Sequence, residues 1–256
     1  MALNILVNSA WEYASRVLVT DTSNVDTSES DTVENVVSGS PHVFWQSGNT
    51  ADKRIAYIDK NNRLSCTHFV LTRADLHVGH QIKLYEATTY SSSISLITNT
   101  ANPLAVGSLI GKTNQDLVIP CAATTVEALI AEFVAGTGGN YTKKVYQMYF
   151  ANSFVVNYPR TVTRSSKPFP SYYKLLNKSY LVDANWTFSI GDLSLSEVNN
   201  FERLFNLRTE PFFIYDQDGN HIRFNLLHCM LEAYDITQLG NDVYLLSLTV
   251  NELRRW

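Results

Sequence analysis

Apolar and polar positions alternate with a period of two along several stretches of this chain, the mark of a strand with one buried and one wet face. Gln81-Ile82-Lys83-Leu84-Tyr85 and Asn185-Trp186-Thr187-Phe188-Ser189-Ile190 show the alternation most plainly. Shorter apolar runs at Leu3–Val7, Ile55–Ile58 and His68–Thr72 read as further strands, the first of them an edge strand. Lys60-Asn61-Asn62-Arg63 is a polar turn, and Gly79 supplies a turn or bulge ahead of Gln81. Lys144–Val156 is aromatic and β-prone, and predicts a long strand or a hairpin bent at Ala151-Asn152.

A helical period appears in two places. In Thr124–Phe133, Val126, Leu129, Ile130 and Phe133 share one helical face and Thr124-x-x-Glu127 resembles a capping box, which predicts a short helix. In Ser194-Leu195-Ser196-Glu197 a second capping box precedes Leu195, Val198, Phe201, Leu204 and Phe205. Those five form one apolar stripe opposite Asn199, Asn200, Glu202 and Arg203, and Pro211 marks the stop. Strands then follow at Phe212–Tyr215, Ile222–Leu231, Tyr234–Ile236 and Val243–Val250, with turns at Asp216–Asn220 and Gly240-Asn241-Asp242. The pattern is mainly β, and its C-terminal part is an antiparallel β unit with one packed helix.

Composition narrows this picture. At 256 residues the chain suits one large or two medium domains. Charged residues are 17%, below the usual quarter, which hints at surface buried against partners. The net charge of −4 gives no reason to expect a nucleic-acid binder. Cys66, Cys121 and Cys229 are odd in number and far apart, without a CxxC or Cys/His cluster, so they read as buried free thiols in a reducing compartment. The N-terminus lacks the basic start and apolar stretch of a secretion signal, and no apolar run is long enough for a membrane helix. Folding in the cytoplasm, without membrane attachment, is the expectation.

Candidate chemistry is sparse. GxSxG, Walker, HExxH and GxGxxG patterns are missing from the sequence. Gly136-Thr137-Gly138-Gly139 lacks the Lys-Ser/Thr that grips phosphate and reads as a flexible turn. His77 and His80 have no third ligand near them in sequence, and Asp216 with Asp218 before Gly219 is ordinary hairpin-turn chemistry. The acidic Val17–Ser40 segment lacks EF-hand spacing and reads as a solvated loop. No catalytic residue, cofactor or metal site is therefore expected, and the chain is read as a non-enzyme. Between Arg160 and Lys178 lie five basic and no acidic residues, with Pro168 and Pro170. The prolines argue against regular structure there, and the stretch reads as an arm whose aromatics pack on a neighbour. Arg160, Arg164, Lys167, Phe169, Tyr172 and Tyr173 are its candidate interface residues.

Two stretches resemble families. The opening strand, the polar excursion, Val43-Phe44-Trp45-Gln46-Ser47, Ile55–Ile58 and His68–Leu71 resemble the discoidin-like jelly-roll of tailed-phage tail proteins, over residues 1–158. Trp186-Thr187-Phe188, the helix to Phe205 and Pro211–Asp216 resemble the strand–helix–strands unit of tail-tube and distal-tail proteins, over residues 185–256. The resemblance implies an N-terminal jelly-roll-like β-sandwich, a connecting arm over 159–184 and the C-terminal β unit. It further implies a homo-oligomeric ring in a virion tail, with other phage tail proteins as partners. The alternative is a carbohydrate-binding module for a host glycan, stacking on an exposed tryptophan such as Trp45.

Overall fold

The computed structural model describes residues 2–7, 14, 16–21, 36, 44–47, 52–59, 61, 63–74, 76, 81–87, 103–108, 115–134, 142–157, 159–175, 178–205, 211–216 and 226–253. The protein is mainly β, with large antiparallel sheets. Among the described residues there are sixteen strands and one α-helix. The chain divides into two compact units: Asn8–Asn152, and Met1–Val7 together with Ser153–Trp256.

The 8–152 unit is a sandwich-like pair of sheets. One sheet has the order β2-β4-β9-β6-β7, formed by β2 (Arg16–Asp21), β4 (Lys53–Ile58), β9 (Ala128–Val134), β6 (Gln81–Ala87) and β7 (Ala105–Ser108). The other pairs β5 (Leu64–Ala74) with β8 (Gln115–Val126) and with the first part of β11 (Gln147–Asn157). A small ribbon joins β3 (Trp45–Gln46) to β10 (Lys144–Val145). Ile55, Tyr57, Ile82, Leu84, Leu129 and Phe133 of the first sheet share one core with Phe69, Leu71, Ile119, Met148 and Phe150 of the second. Tyr57 stands edge-on to Phe150, with centroids 5.1 Å apart, and its hydroxyl donates to the Met148 carbonyl at 2.7 Å. A buried phenol keeps a partner in this way while its ring fills the core.

The Thr124–Phe133 stretch is a turn and a strand, not a helix. β8 ends at Val126, Glu127 forms the bend, and β9 begins at Ala128. Thr125 takes a φ of 58°, a conformation that a β-branched residue adopts only in a tight turn. β9 is buried on both faces from Ala128 to Phe133. A strand covered on both sides needs no alternation, so its unbroken apolar run imitates a helical stripe.

The second face of the first sheet carries a buried ion pair. Arg54 and Glu132 are direct cross-strand partners on β4 and β9, and the Arg54 guanidinium meets the Glu132 carboxylate at 2.8 Å. The Tyr85 hydroxyl donates to the other Glu132 oxygen at 2.8 Å, and Arg54 lies 5.3 Å from the Tyr85 ring centre. At the β4–β5 turn, the Asp59 carboxylate accepts from the backbone amides of Asn61 and Arg63 and from the Arg63 side chain. These donors, the Arg63 side chain foremost, hold the Asp59 carboxyl below its ordinary range.

In the other unit the sheet order is β12-β13-β16-β15-β14-β1, formed by β12 (Pro159–Leu175), β13 (Lys178–Leu193), β16 (Val243–Leu253), β15 (Leu226–Gly240), β14 (Phe212–Asp216) and β1 (Ala2–Val7). Leu3–Val7 is therefore not an edge: β1 runs antiparallel to β14, from Leu3↔Asp216 to Leu6↔Phe213, and lies between β14 and β11. That pairing ties the N-terminus to the C-terminal unit, so the division differs from the expected 1–158 and 185–256 domains. The helix α1 (Leu195–Phe205) follows β13. Its capping box is made as expected: the Ser194 hydroxyl receives the Glu197 amide, and Glu197 receives the Ser194 amide at 2.8 Å. The Leu195 amide donates to Asp242, at the Asn241-Asp242 turn between β15 and β16, at 2.9 Å. Val198 and Phe201 of α1 enter the core with Trp186, Phe188, Ile190, Leu246, Leu248 and Val250.

His228 is buried and stacks on Phe213, with centroids 4.6 Å apart, and its Nε2 has no hydrogen-bond partner among the described residues. Burial pushes its pKa down from 6.5 to about 3. The unfolded chain binds a proton at this side chain below about pH 6.5 and the folded chain does not, so its contribution is intact above that pH and lost as pH falls toward 3. His228→Phe should flatten the pH dependence of unfolding between pH 7 and 4 by up to about 1.4 kcal/mol per pH unit, measured by urea denaturation. Glu132→Ala removes the buried carboxylate that pairs with Arg54 and accepts from Tyr85, and should cost about 3 kcal/mol in the same assay.

Candidate assembly surface

Up to Leu175, the Arg160–Lys178 stretch is strand β12 rather than an irregular arm. β12 pairs with β13 from Pro159↔Ile190 to Leu175↔Lys178, and the ladder breaks between Ser166 and Ser171. Pro168 and Pro170 fall inside that break. Proline cannot donate to a ladder, so it is barred from a central strand but tolerated at an edge or a bulge. Among the described residues, β12 is the outermost strand of its sheet. Prolines and basic side chains on an outer strand are devices that limit indiscriminate pairing along its free side. The composition that suggested a linker is that of a guarded edge.

The structure brings part of the candidate set together. Arg160 is half exposed and donates to Asp192 at 2.8 Å. Gly191 makes room for it, because a Cβ there would collide with the Arg160 guanidinium. Asp192 has a φ of 60°, at the bulge between Ile190 and Leu193 where β13 departs from β16. Arg164 lies 5.6 Å from the Trp186 ring centre and donates to Glu252 at 3.1 Å. The same Glu252 oxygen accepts the Trp186 indole N–H at 2.8 Å. Arg160 and Arg164 are thus committed to neighbours within the sheet. The backbones of Tyr172 and Tyr173 pair with Leu181 and Tyr180. The side chains of Lys167, Phe169, Tyr172 and Tyr173 lie outside the described residues.

What the sequence reading missed is the face that the four outer strands build. Three cross-strand rows run over β12, β13, β16 and β15: Thr161–Ser189–Ser247–Asp235, Thr163–Thr187–Thr249–Ala233 and Ser165–Asn185–Asn251–Met230. Hydroxyls and amides dominate them, with Asp235 the sole ionisable group in these rows, and Thr187 and Thr249 approach at 3.3 Å between hydroxyl oxygens. The opposite face holds Val162–Phe188–Leu248–Tyr234, closed by α1 through Phe201, whose ring stands edge-on to Tyr234 at 5.3 Å. Alternation along Asn185–Ile190 signalled one such strand; only pairing shows that four align. Thr161, Thr163 and Ser165 are exposed, whereas Thr187, Ser189, Ser247 and Thr249 are half-buried.

The tryptophan named for a glycan site is not available for stacking. Trp45 is fully buried beside Phe133, with centroids 6.3 Å apart. Next to it, the half-buried rings of Phe44 and Tyr146 have the Lys144 ammonium over them at 3.8 and 5.1 Å. His77, His80, Gly136–Gly139, Asp218 and most of the acidic Val17–Ser40 segment lie outside the described residues, though Arg16–Asp21 at its start is strand β2. Among the described residues no group of three or more His, Cys, Asp or Glu is placed to hold a metal ion, and no described helix is long and apolar enough to cross a membrane.

Replacing Glu252 by Ala removes the acceptor of the Trp186 indole and should cost roughly 1–2 kcal/mol of unfolding free energy. Arg164→Ala loses a partly exposed pair and should cost under about 1 kcal/mol, which ranks the two variants by denaturant midpoint. No protein-family model matches the chain, and no curated protein matches it.

Proposed function

We propose that this protein is a non-catalytic structural component of a bacteriophage tail that assembles into a homo-oligomeric ring and contacts other tail proteins. The observation that carries the reading is strand β12, which continues a four-stranded polar face to the outermost position of its sheet among the described residues. A strand with an unpaired side is a template for a strand of another chain, and a face of hydroxyls and amides suits a wet, specific contact. Thr161–Ser165 is the open part of that edge, flanked by the proline-containing break. The likeness of the strand–helix–strands unit to tail-tube and distal-tail proteins gives the setting, and virion localisation follows from it. The glycan alternative loses Trp45, its named contact.

The test is the mass of the purified chain by light scattering across a concentration series. Closed oligomers are expected for the native chain, and Thr163→Lys, which sets a charge on the exposed polar face of β12, should shift the population to monomer. A native chain that stays monomeric at all concentrations contradicts the proposal.

A further inference from the structure

Cys66 and Cys121 are 55 positions apart in sequence, yet their sulfurs lie 3.5 Å apart in the core of the 8–152 unit. The cause is an irregular ladder between β5 and β8. Cys66 pairs with Ala123 and His68 with Pro120, so two steps on β5 match three on β8. Ile119, Cys121 and Ala123 alternate regularly onto the core face of β8, and the shifted register sets Cys66 on that same face, diagonal to Cys121. Both cysteines are free thiols in this structure.

We propose that Cys66 and Cys121 are a redox-responsive pair that closes to a disulfide, clamping β5 to β8, when the protein meets a low-molecular-weight disulfide. This does not rest on the assembly reading. A disulfide needs sulfurs about 2.05 Å apart, so closure asks these two to approach from 3.5 Å. The thiolate is the attacking species. Either sulfur can donate in this contact; the contact holds the Cys121 pKa down and pushes the Cys66 thiol up. Cys121 is also the more exposed of the two, at 8% against 2%.

The chemistry balances as follows. The Cys121 sulfur attacks one sulfur of the small disulfide and expels a thiolate, leaving a mixed disulfide. Cys66 then gives up its proton and attacks the Cys121 sulfur, expelling the second thiolate. Two protein thiols are oxidised, one small disulfide is reduced to two thiols, and the protein loses two hydrogen atoms. Cys229 takes no part: it is fully buried in the other unit, donates to the Phe212 carbonyl, and burial pushes its pKa up.

The native chain is incubated with oxidised glutathione, then denatured and alkylated. One labelled thiol per chain is expected instead of three, with a mass loss of two hydrogens and a Cys66–Cys121 link in the peptide map. The thermal midpoint should rise by roughly 5 °C or more and return on reduction. Cys229→Ala should keep the link, and Cys121→Ser and Cys66→Ala should each abolish it. Three labelled thiols in the native chain, under conditions that oxidise the urea-unfolded chain, overturn the proposal. So does a persistent glutathione adduct on Cys121, or a link that includes Cys229.

Discussion

The outer sheet of the C-terminal unit depends on one constraint: a twisted antiparallel sheet must bury one face, and its last strand must leave one edge open. Strict alternation along β12, β13, β16 and β15 sorts Val162, Phe188, Leu248 and Tyr234 to one side and Thr161, Thr163, Thr187 and Thr249 to the other. The helix α1 closes the apolar side. Its N-terminus is fixed twice, by Ser194 with Glu197 and by Asp242 from the β15–β16 turn. The local capping signal and the long-range turn therefore agree on where the helix starts, a consistency across levels that favours a single native arrangement.

The 8–152 unit solves its burial differently. Both faces of β9 are covered, and on one of them a charged pair is retained at Arg54 and Glu132. A buried ion pair adds little net stability over an apolar pair, but each partner is costly to leave alone. Arg54 opposes Glu132 in the β4–β9 register, so a one-residue slip would break this pair. The pair acts as a register pin, and Tyr85 extends it onto β6.

Most elements were legible where one physical signal dominated. Helix 195–205 carried a cap, a stripe and a polar back, and β13, β6 and the Gly240–Asp242 turn were equally direct. β9 was misread because burial on two faces erases the period that separates strand from helix. β12 was misread because prolines were weighed against strands in general, whereas their prohibition applies to central strands. The Cys66–Cys121 contact was invisible because the shifted β5–β8 register creates it, and nothing in the spacing of 55 residues encodes that shift. For the candidate surface, Arg160 and Arg164 were found by their charge, but they serve the sheet itself. The hydroxyl rows were missed because threonine and serine stand out only when strands are laid side by side.

The central claim is that β12 is the edge through which copies of this chain join. Hydrogen–deuterium exchange of the Thr161–Ser165 amides, followed from dilute to concentrated protein, tests it most directly. The account predicts that these amides become protected as concentration rises while those of α1 do not change. Exchange at Thr161–Ser165 that is the same at every concentration would contradict it.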